Sequence, residues 1–89
     1  MNDYVEKIWD EIMESYSMAK NMIQKGSNKS KGKEIRRLIK SVNIYYDIAK
    51  NRKTAYRLVK SAVKLKKQKN FPEFENILRD IRRDMDEYK

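Results

Sequence analysis

The sequence contains no cysteine and no histidine among its 89 residues. Without cysteine, the chain can form neither a disulfide framework nor a thiolate metal site. Without histidine, it lacks the usual metal ligand and the side chain that most often serves as a general base. We therefore expect no enzyme activity, no bound metal and no cofactor. The carboxylate pairs at helical spacing are interpreted as solvated surface: Asp10 with Glu14, and Asp80 with Asp84.

Residues that interrupt regular structure are scarce too, with two glycines and one proline. Apolar residues recur at steps of three and four, which is the period of an amphipathic helix. No apolar run approaches the roughly 18–20 residues that a membrane span needs. The first eleven residues, MNDYVEKIWDE, are acidic and unlike a signal peptide. We expect a soluble, cytoplasmic protein.

The apolar pattern predicts an all-α fold, a small bundle of three to four helices forming a single domain over residues 1–89. Asp3 and Glu6 make a start similar to a capping box, and Pro72 suits the first turn of the last helix. The predicted helices span approximately residues 3–25, 31–50, 54–69 and 72–88.

Residues 26–34, GSNKSKGKE, look at first like a phosphate-binding loop. That motif needs four residues between its glycines, then lysine and a hydroxyl that ligates magnesium. Here five residues separate Gly26 from Gly32, and Glu34 occupies the hydroxyl position. We interpret the segment as a connection in which Gly26 ends the first helix and Ser30 or Gly32 caps the second.

A change of helical phase divides the middle of the chain. Up to Ala49 the apolar residues share one face, but from Lys53 onward basic residues fall on that side of a continuous projection. The pattern favours a break at 51–54, with Asn51 as a left-handed stop and Thr54 as the next N-cap. The alternative is one long helix that buries opposite faces in its two halves.

Ile44 and Ile48 lie off the main apolar face of their own segment. In a continuous helix they would align with Ala55, Val59 and Ala62 as core residues. If the helix breaks, they become candidates for contact with a protein partner or a second copy of the chain.

Positive charge is confined to the middle of the chain. Residues 1–25 carry three basic and five acidic side chains, residues 26–70 carry fifteen and two, and residues 71–89 carry four and six. A segment with such a charge excess repels itself and favours a polyanionic partner. We predict a nucleic-acid-binding surface made of these residues: Lys29, Lys31, Lys33, Arg37, Lys40, Lys53, Arg57, Lys60, Lys64 and Lys67.

The last five of these residues form a basic stripe on one side of the third predicted helix. Such a stripe neutralises phosphates and gains free energy from counterion release, which favours nucleic acid as the partner. A protein with an acidic surface is the alternative, and it would make the chain a non-enzymatic adaptor. An anionic membrane is disfavoured because no tryptophan or phenylalanine borders the stripe. We predict an accessory subunit of a replication, packaging or transcription complex.

The run DIAKNRKTAYRLVKSA, residues 47–62, resembles the second half of a helix-turn-helix motif. It departs from that motif in its turn, which is about four residues too short and lacks the usual glycine. The resemblance favours DNA over RNA as the partner, and it implies a set of groove-facing residues: Lys53, Thr54, Tyr56, Arg57 and Lys60. A basic helix that lies along the phosphate backbone does not require such a turn, and it fits the sequence better.

Three tyrosines lie inside the basic segment, namely Tyr45, Tyr46 and Tyr56. Aromatic rings beside lysines can stack on unpaired bases. At helical spacing, however, tyrosines are more often core residues whose hydroxyls reach the surface, so we predict core positions for them.

Overall fold

A computed structural model describes residues 3–26 and 28–87, without the side chains of residues 28–31. Within these ranges the chain forms four α-helices and no strand, which confirms the predicted all-α bundle. The helices are α1 (Asp3–Lys25), α2 (Asn28–Ile48), α3 (Arg52–Gln68) and α4 (Phe71–Glu87). The predicted end of the last helix at residue 88 lies outside the described residues.

The connection between α1 and α2 confirms the predicted helix end at Gly26 but not the predicted start of the second helix. Gly26 has a φ of +71°, and its N–H donates to the Ile23 carbonyl at 3.1 Å, so it ends α1 in the left-handed conformation. The predicted caps at Ser30 and Gly32 are wrong because α2 already begins at Asn28. The lysine-rich stretch after Gly26 is therefore mostly helix and adds its charges to α2.

The predicted break between the second and third helices is confirmed, with residues 49–51 outside both. The role predicted for Asn51 is wrong, since its φ is −97° and its side-chain Oδ1 accepts the Thr54 N–H at 3.2 Å. Asn51 is therefore the N-cap of α3 rather than a stop for α2, and Thr54 is the third helical residue. Each helix can thus turn its own apolar face to the core.

The third connection has two signals that the sequence did not reveal. Lys69 ends α3 in the left-handed conformation, at φ 53°, and its N–H donates to the Leu65 carbonyl at 2.8 Å. Asn70 and Glu73 then form a reciprocal pair, in which Asn70 Oδ1 accepts the Glu73 N–H and Asn70 Nδ2 donates to Glu73 Oε2. This pair resembles a capping box and starts α4 at Phe71, one residue before the predicted Pro72.

Successive helices pack against one another, and side chains of α4 close the bundle against α1. The Tyr16 ring of α1 stacks on Phe74 of α4 with ring centroids 4.6 Å apart. Along the same contact Glu75 lies beside Lys20 while Arg82 lies beside Glu6, so α1 and α4 run antiparallel. All four helices contribute to the core. Its fully buried large side chains include Ile12, Leu38, Val42, Leu58, Leu65, Phe74, Ile77 and Ile81.

None of the helices in residues 3–26 and 28–87 combines the length and the apolar character that a bilayer crossing requires. All four instead have one apolar face and one polar face, as their buried positions show.

Candidate nucleic-acid interface

The basic stripe of α3 consists of Lys53, Arg57, Lys60, Lys64 and Lys67, and all five side chains are exposed. The opposite face of α3 is buried in the bundle through Ala55, Leu58, Ser61, Ala62 and Leu65. The 100° helical period therefore turns the stripe directly outward. From Lys53 to Lys67 the stripe measures about 21 Å at the helical rise of 1.5 Å per residue.

The cations of α3 have no acidic partners within the part of the chain that the structure describes. Residues 52–68 include seven basic side chains and no acidic one. Ion pairs instead join side chains of α1, α2 and α4. The charge of α3 is therefore uncompensated and available to an external anion.

Arg37 has a different environment from the stripe. Its guanidinium donates through Nε to Glu11, and its Nη2 lies 3.2 Å from a Glu14 carboxylate oxygen. Its Nη1 lies 3.5 Å from Oε2 of Glu34, a buried oxygen without a hydrogen bond. The hydrogen bond from Arg37 lowers the pKa of Glu11. Three carboxylates thus surround this predicted site residue, so it adds little net positive potential to the surface.

The remaining predicted cations lie on α2. Lys33 and Lys40 are exposed on the side of α2 opposite its buried residues, and α2 packs directly against α3. They therefore add positive charge to the outer side of a helix that neighbours the stripe. The side chains of Lys29 and Lys31 lie outside the described residues.

An aromatic pair joins α2 to α3 beside the stripe. The ring centroids of Tyr46 and Tyr56 lie 6.2 Å apart with an interplanar angle of 50°. The Arg52 guanidinium lies 4.5 Å from the Tyr46 ring centroid, and Lys60 Nζ lies 5.4 Å from that of Tyr56. Both distances are within the range of cation–π attraction.

The predicted core position is confirmed for Tyr45, which is 7% exposed, and wrong for Tyr56, which is 53% exposed. Tyr46 lies between these extremes, half-buried against the core. Tyr56 precedes Lys60 by four residues, and this spacing placed it on the basic side of α3 rather than on the buried side. Arg52 was missed because its partner Tyr46 belongs to another helix.

The groove-facing residues implied by the helix-turn-helix resemblance are mostly exposed. Lys53, Tyr56, Arg57 and Lys60 lie on the outer side of α3, whereas Thr54 is half-buried. The contact between Tyr46 and Tyr56 shows that α2 and α3 lie side by side over this stretch.

Ile44 and Ile48 lie outside the core, on the outer part of α2. Ile44 is half-buried and Ile48 is 38% exposed. Ile48 lines a groove with Val5 of α1 and Met85 of α4. Because the helix breaks after Ile48, these residues do not align with the apolar face of α3.

No group of three or more acidic side chains in the described residues is arranged to hold a metal ion. Comparison with known protein families, with characterised proteins and with solved structures finds no match to this chain.

Proposed function

We propose that this protein binds nucleic acid, DNA in the first place, by laying the basic stripe of α3 along the phosphate backbone. One observation carries the proposal. Helix α3 exposes five basic residues on one side and has no acidic side chain, and no ion pair within the described residues neutralises it.

This arrangement of charge costs stability in the free protein. Like charges at spacings of three and four residues repel each other on a helix. A polyanion removes that repulsion and releases its own condensed counterions. With five phosphate contacts, the logarithm of the binding constant should fall by about 4.5 for each decade of salt.

We further propose that the protein acts as an accessory subunit of a larger complex in the cytoplasm. Ile44 and Ile48 support this role because they are apolar, lie outside the core and belong to α2 rather than to the stripe of α3. A protein partner bound at these residues would leave α3 free for nucleic acid.

The alternative is that the stripe meets an acidic protein surface. The same exposed cations support it, since carboxylates are also neutralised by a lysine row. A protein surface would give a shallower salt dependence than a phosphate backbone because it has no condensed counterions to release.

The first prediction concerns a triple variant of the stripe, Arg57→Gln with Lys60→Gln and Lys64→Gln. We expect its affinity for a fluorescent DNA duplex to fall on the order of 100-fold at about 50 mM salt. The salt slope should become shallower by about 2 to 3. Fluorescence anisotropy between about 50 and 200 mM NaCl measures both quantities.

The matched control removes three exposed cations from α1 and α4, namely Lys7→Gln, Arg79→Gln and Arg83→Gln. Both triple variants lower the formal net charge from +9 to +6. The control should retain most of the affinity. Equal losses of affinity in the two variants would show that binding depends on net charge and not on the stripe. Absence of binding by the wild type at low salt would disprove the proposal.

A further inference from the structure

Beside the stripe, two tyrosine rings and two cations form a continuous surface across α2 and α3. Tyr46 and Tyr56 are the rings, with Arg52 over the first and Lys60 over the second. We call these four residues the aromatic platform. It includes Lys60 of the stripe, so the aromatic and phosphate-binding features share one surface.

The exposure of Tyr56 has no explanation in the packing of the bundle. About half of this side chain, 53%, is accessible to solvent, although the core of α3 is closed by alanines and leucines on its other side. The next exposed apolar residue along the same edge is Val63, at 54%. An apolar edge of this kind adjoining a row of cations is suited to a ligand that is both planar and anionic.

We propose that the aromatic platform stacks on unpaired bases, so that the preferred ligand of this surface is single-stranded nucleic acid. This inference rests on the proposed function and adds to it the form of nucleic acid that is bound. A duplex hides the faces of its bases between neighbouring base pairs, so it can satisfy the stripe but not the rings. A single strand offers phosphates to the stripe and base faces to Tyr56.

The two cations of the platform have separate roles. Arg52 covers Tyr46 with its planar guanidinium, which is itself a surface on which bases stack. Lys60 carries a flexible ammonium group and can pair with the phosphate beside a base stacked on Tyr56. The strand then continues along α3 toward Lys64 and Lys67, where further phosphates are neutralised.

The experiment compares Tyr56→Ala with wild type on three fluorescent probes at low and moderate salt. The probes are a thymidylate oligomer of about 15 nucleotides, the same phosphate backbone carrying abasic sites throughout, and a duplex of the same length. Thymidylate is chosen because it forms little structure of its own. Tyr56→Phe keeps the ring, and Val63→Ala trims an equally exposed side chain of the same helix.

The wild type should bind the thymidylate oligomer on the order of tenfold more tightly than the abasic one. Tyr56→Ala should remove this difference while its affinities for the abasic oligomer and the duplex stay near those of wild type. Tyr56→Phe and Val63→Ala should both retain the preference. Thermal unfolding of each variant shows whether the fold is intact.

Equal affinity of the wild type for the thymidylate and abasic oligomers would overturn the stacking inference and leave phosphate binding standing. A Tyr56→Ala variant that weakens binding to all three probes equally would also overturn it, because the ring would then act through the packing of α3. Failure of the wild type to bind any probe at low salt would instead disprove the proposed function itself.

Discussion

Tyr16 belongs to the core through its ring and to an ion-pair network through its hydroxyl. The ring stacks on Phe74, and the hydroxyl donates to Glu75 Oε2 at 2.5 Å. Lys20 Nζ donates to the same oxygen at 2.8 Å. Burial, together with the hydrogen bond to Glu75, raises the pKa of Tyr16 well above its usual value. The Tyr16 hydroxyl thus remains a hydrogen-bond donor through the physiological range and links α1 to α4.

The carboxylate of Glu75 gives a pH-dependent prediction. Hydrogen bonds from Lys20 and Tyr16 lower the pKa of Glu75 below its usual value of 4.5. A carboxylate whose pKa is lower in the folded state stabilises the fold at pH values above its unfolded-state pKa. This contribution is lost as the pH falls through the folded-state pKa. Glu75→Gln should therefore be less stable than wild type by about 0.5–1 kcal/mol at neutral pH. The difference should vanish at strongly acidic pH.

Urea denaturation of both proteins at neutral and acidic pH measures this difference. Asp10→Asn is the control, since Asp10 is exposed on α1 and no ion pair within the described residues includes it. If Glu75→Gln remained less stable than wild type by the same amount at acidic pH, the charge of the carboxylate would contribute nothing to stability.

At the residue scale, the sequence predicts the basic stripe well but not its surroundings. The stripe follows from spacing alone, because Lys53, Arg57 and Lys60 repeat at helical intervals. The ring of carboxylates around Arg37 could not be predicted, since Glu11 belongs to a different helix whose register against α2 no local pattern specifies. The exposure of Tyr56 was missed because tyrosine at helical spacing is more often a core residue, although its spacing from Lys60 places it on the basic side of α3.

At the scale of the elements, the two glycines have opposite roles. Gly26 ends α1 at a positive φ, and no atom beyond its own and the two adjacent residues lies within 4 Å of where a Cβ would be placed. Gly32 lies within α2, where an added Cβ would meet Arg36 Nη1 at 3.5 Å, an ordinary contact with a flexible side chain. Backbone conformation, rather than space, therefore distinguishes the two positions.

Alanine substitution should shift stability in opposite directions at these glycines. Gly26→Ala should destabilise the protein by about 1 kcal/mol because an L-residue is strained in the left-handed region. Gly32→Ala should stabilise it by about 0.5–1 kcal/mol because alanine loses less backbone entropy in a helix. For a chain of this size, 1 kcal/mol corresponds to about 4–8 °C in Tm.

Thermal unfolding followed by circular dichroism measures both shifts. Each variant serves as the control for the other, since the chemical change is the same. Shifts of the same sign would contradict the assignment of Gly26 to the helix end and Gly32 to the helix interior.

The break between α2 and α3 shows what a sequence pattern can and cannot predict about an element. The change of helical phase requires the two segments to rotate relative to each other, so the existence of a break was predictable. The assignment of caps was not, because Asn51 favours both the left-handed stop and the N-cap. Its φ of −97° and its bond to the Thr54 N–H identify the cap.

At the scale of the whole molecule, charge is divided among the helices. Helices α1 and α4 carry more acidic than basic side chains, and cations in α1, α2 and α4 pair with many of the carboxylates. Helix α3 has only basic side chains among its charged residues. Helix α2 also carries more basic than acidic side chains and packs against α3, so the excess positive charge of the chain lies on these two neighbouring helices.

Repulsion among the cations of α3 should lower the free energy of unfolding of the protein when no polyanion is bound. Lys53→Gln combined with Arg57→Gln removes a like-charged pair at a spacing of four residues and a cation from the first turn of α3, where the helix dipole disfavours it. We expect the double variant to be more stable than wild type by about 0.5–1 kcal/mol at low salt. The advantage should disappear near 1 M NaCl, where the Debye length is about 3 Å.

Chemical denaturation with urea, which adds no ions, measures this advantage at each salt concentration. Lys7→Gln is the control, because Lys7 lies on the acid-rich helix α1 and its removal should not stabilise the fold. If the double variant were no more stable than wild type at low salt, the positive charge of α3 would not lower the stability of the protein.

The order of the helices, and a number of three to four, followed from the sequence because each helix has its own apolar stripe and an identifiable start or end. Their mutual arrangement did not follow, since amphipathic stripes specify which side is buried but not which helix covers it. The contact of Tyr16 with Phe74 joins residues from the two ends of the chain, and no local pattern encodes such a pairing.

The division of charge between α3 and the acid-rich helices also gives the protein a permanent electric dipole moment. In the field of a long polyanion such a dipole experiences a torque as well as an attraction. The protein would therefore rotate during its approach and arrive with α2 and α3 leading. A larger share of collisions would then be productive, because orientation is what ordinarily limits the rate of association.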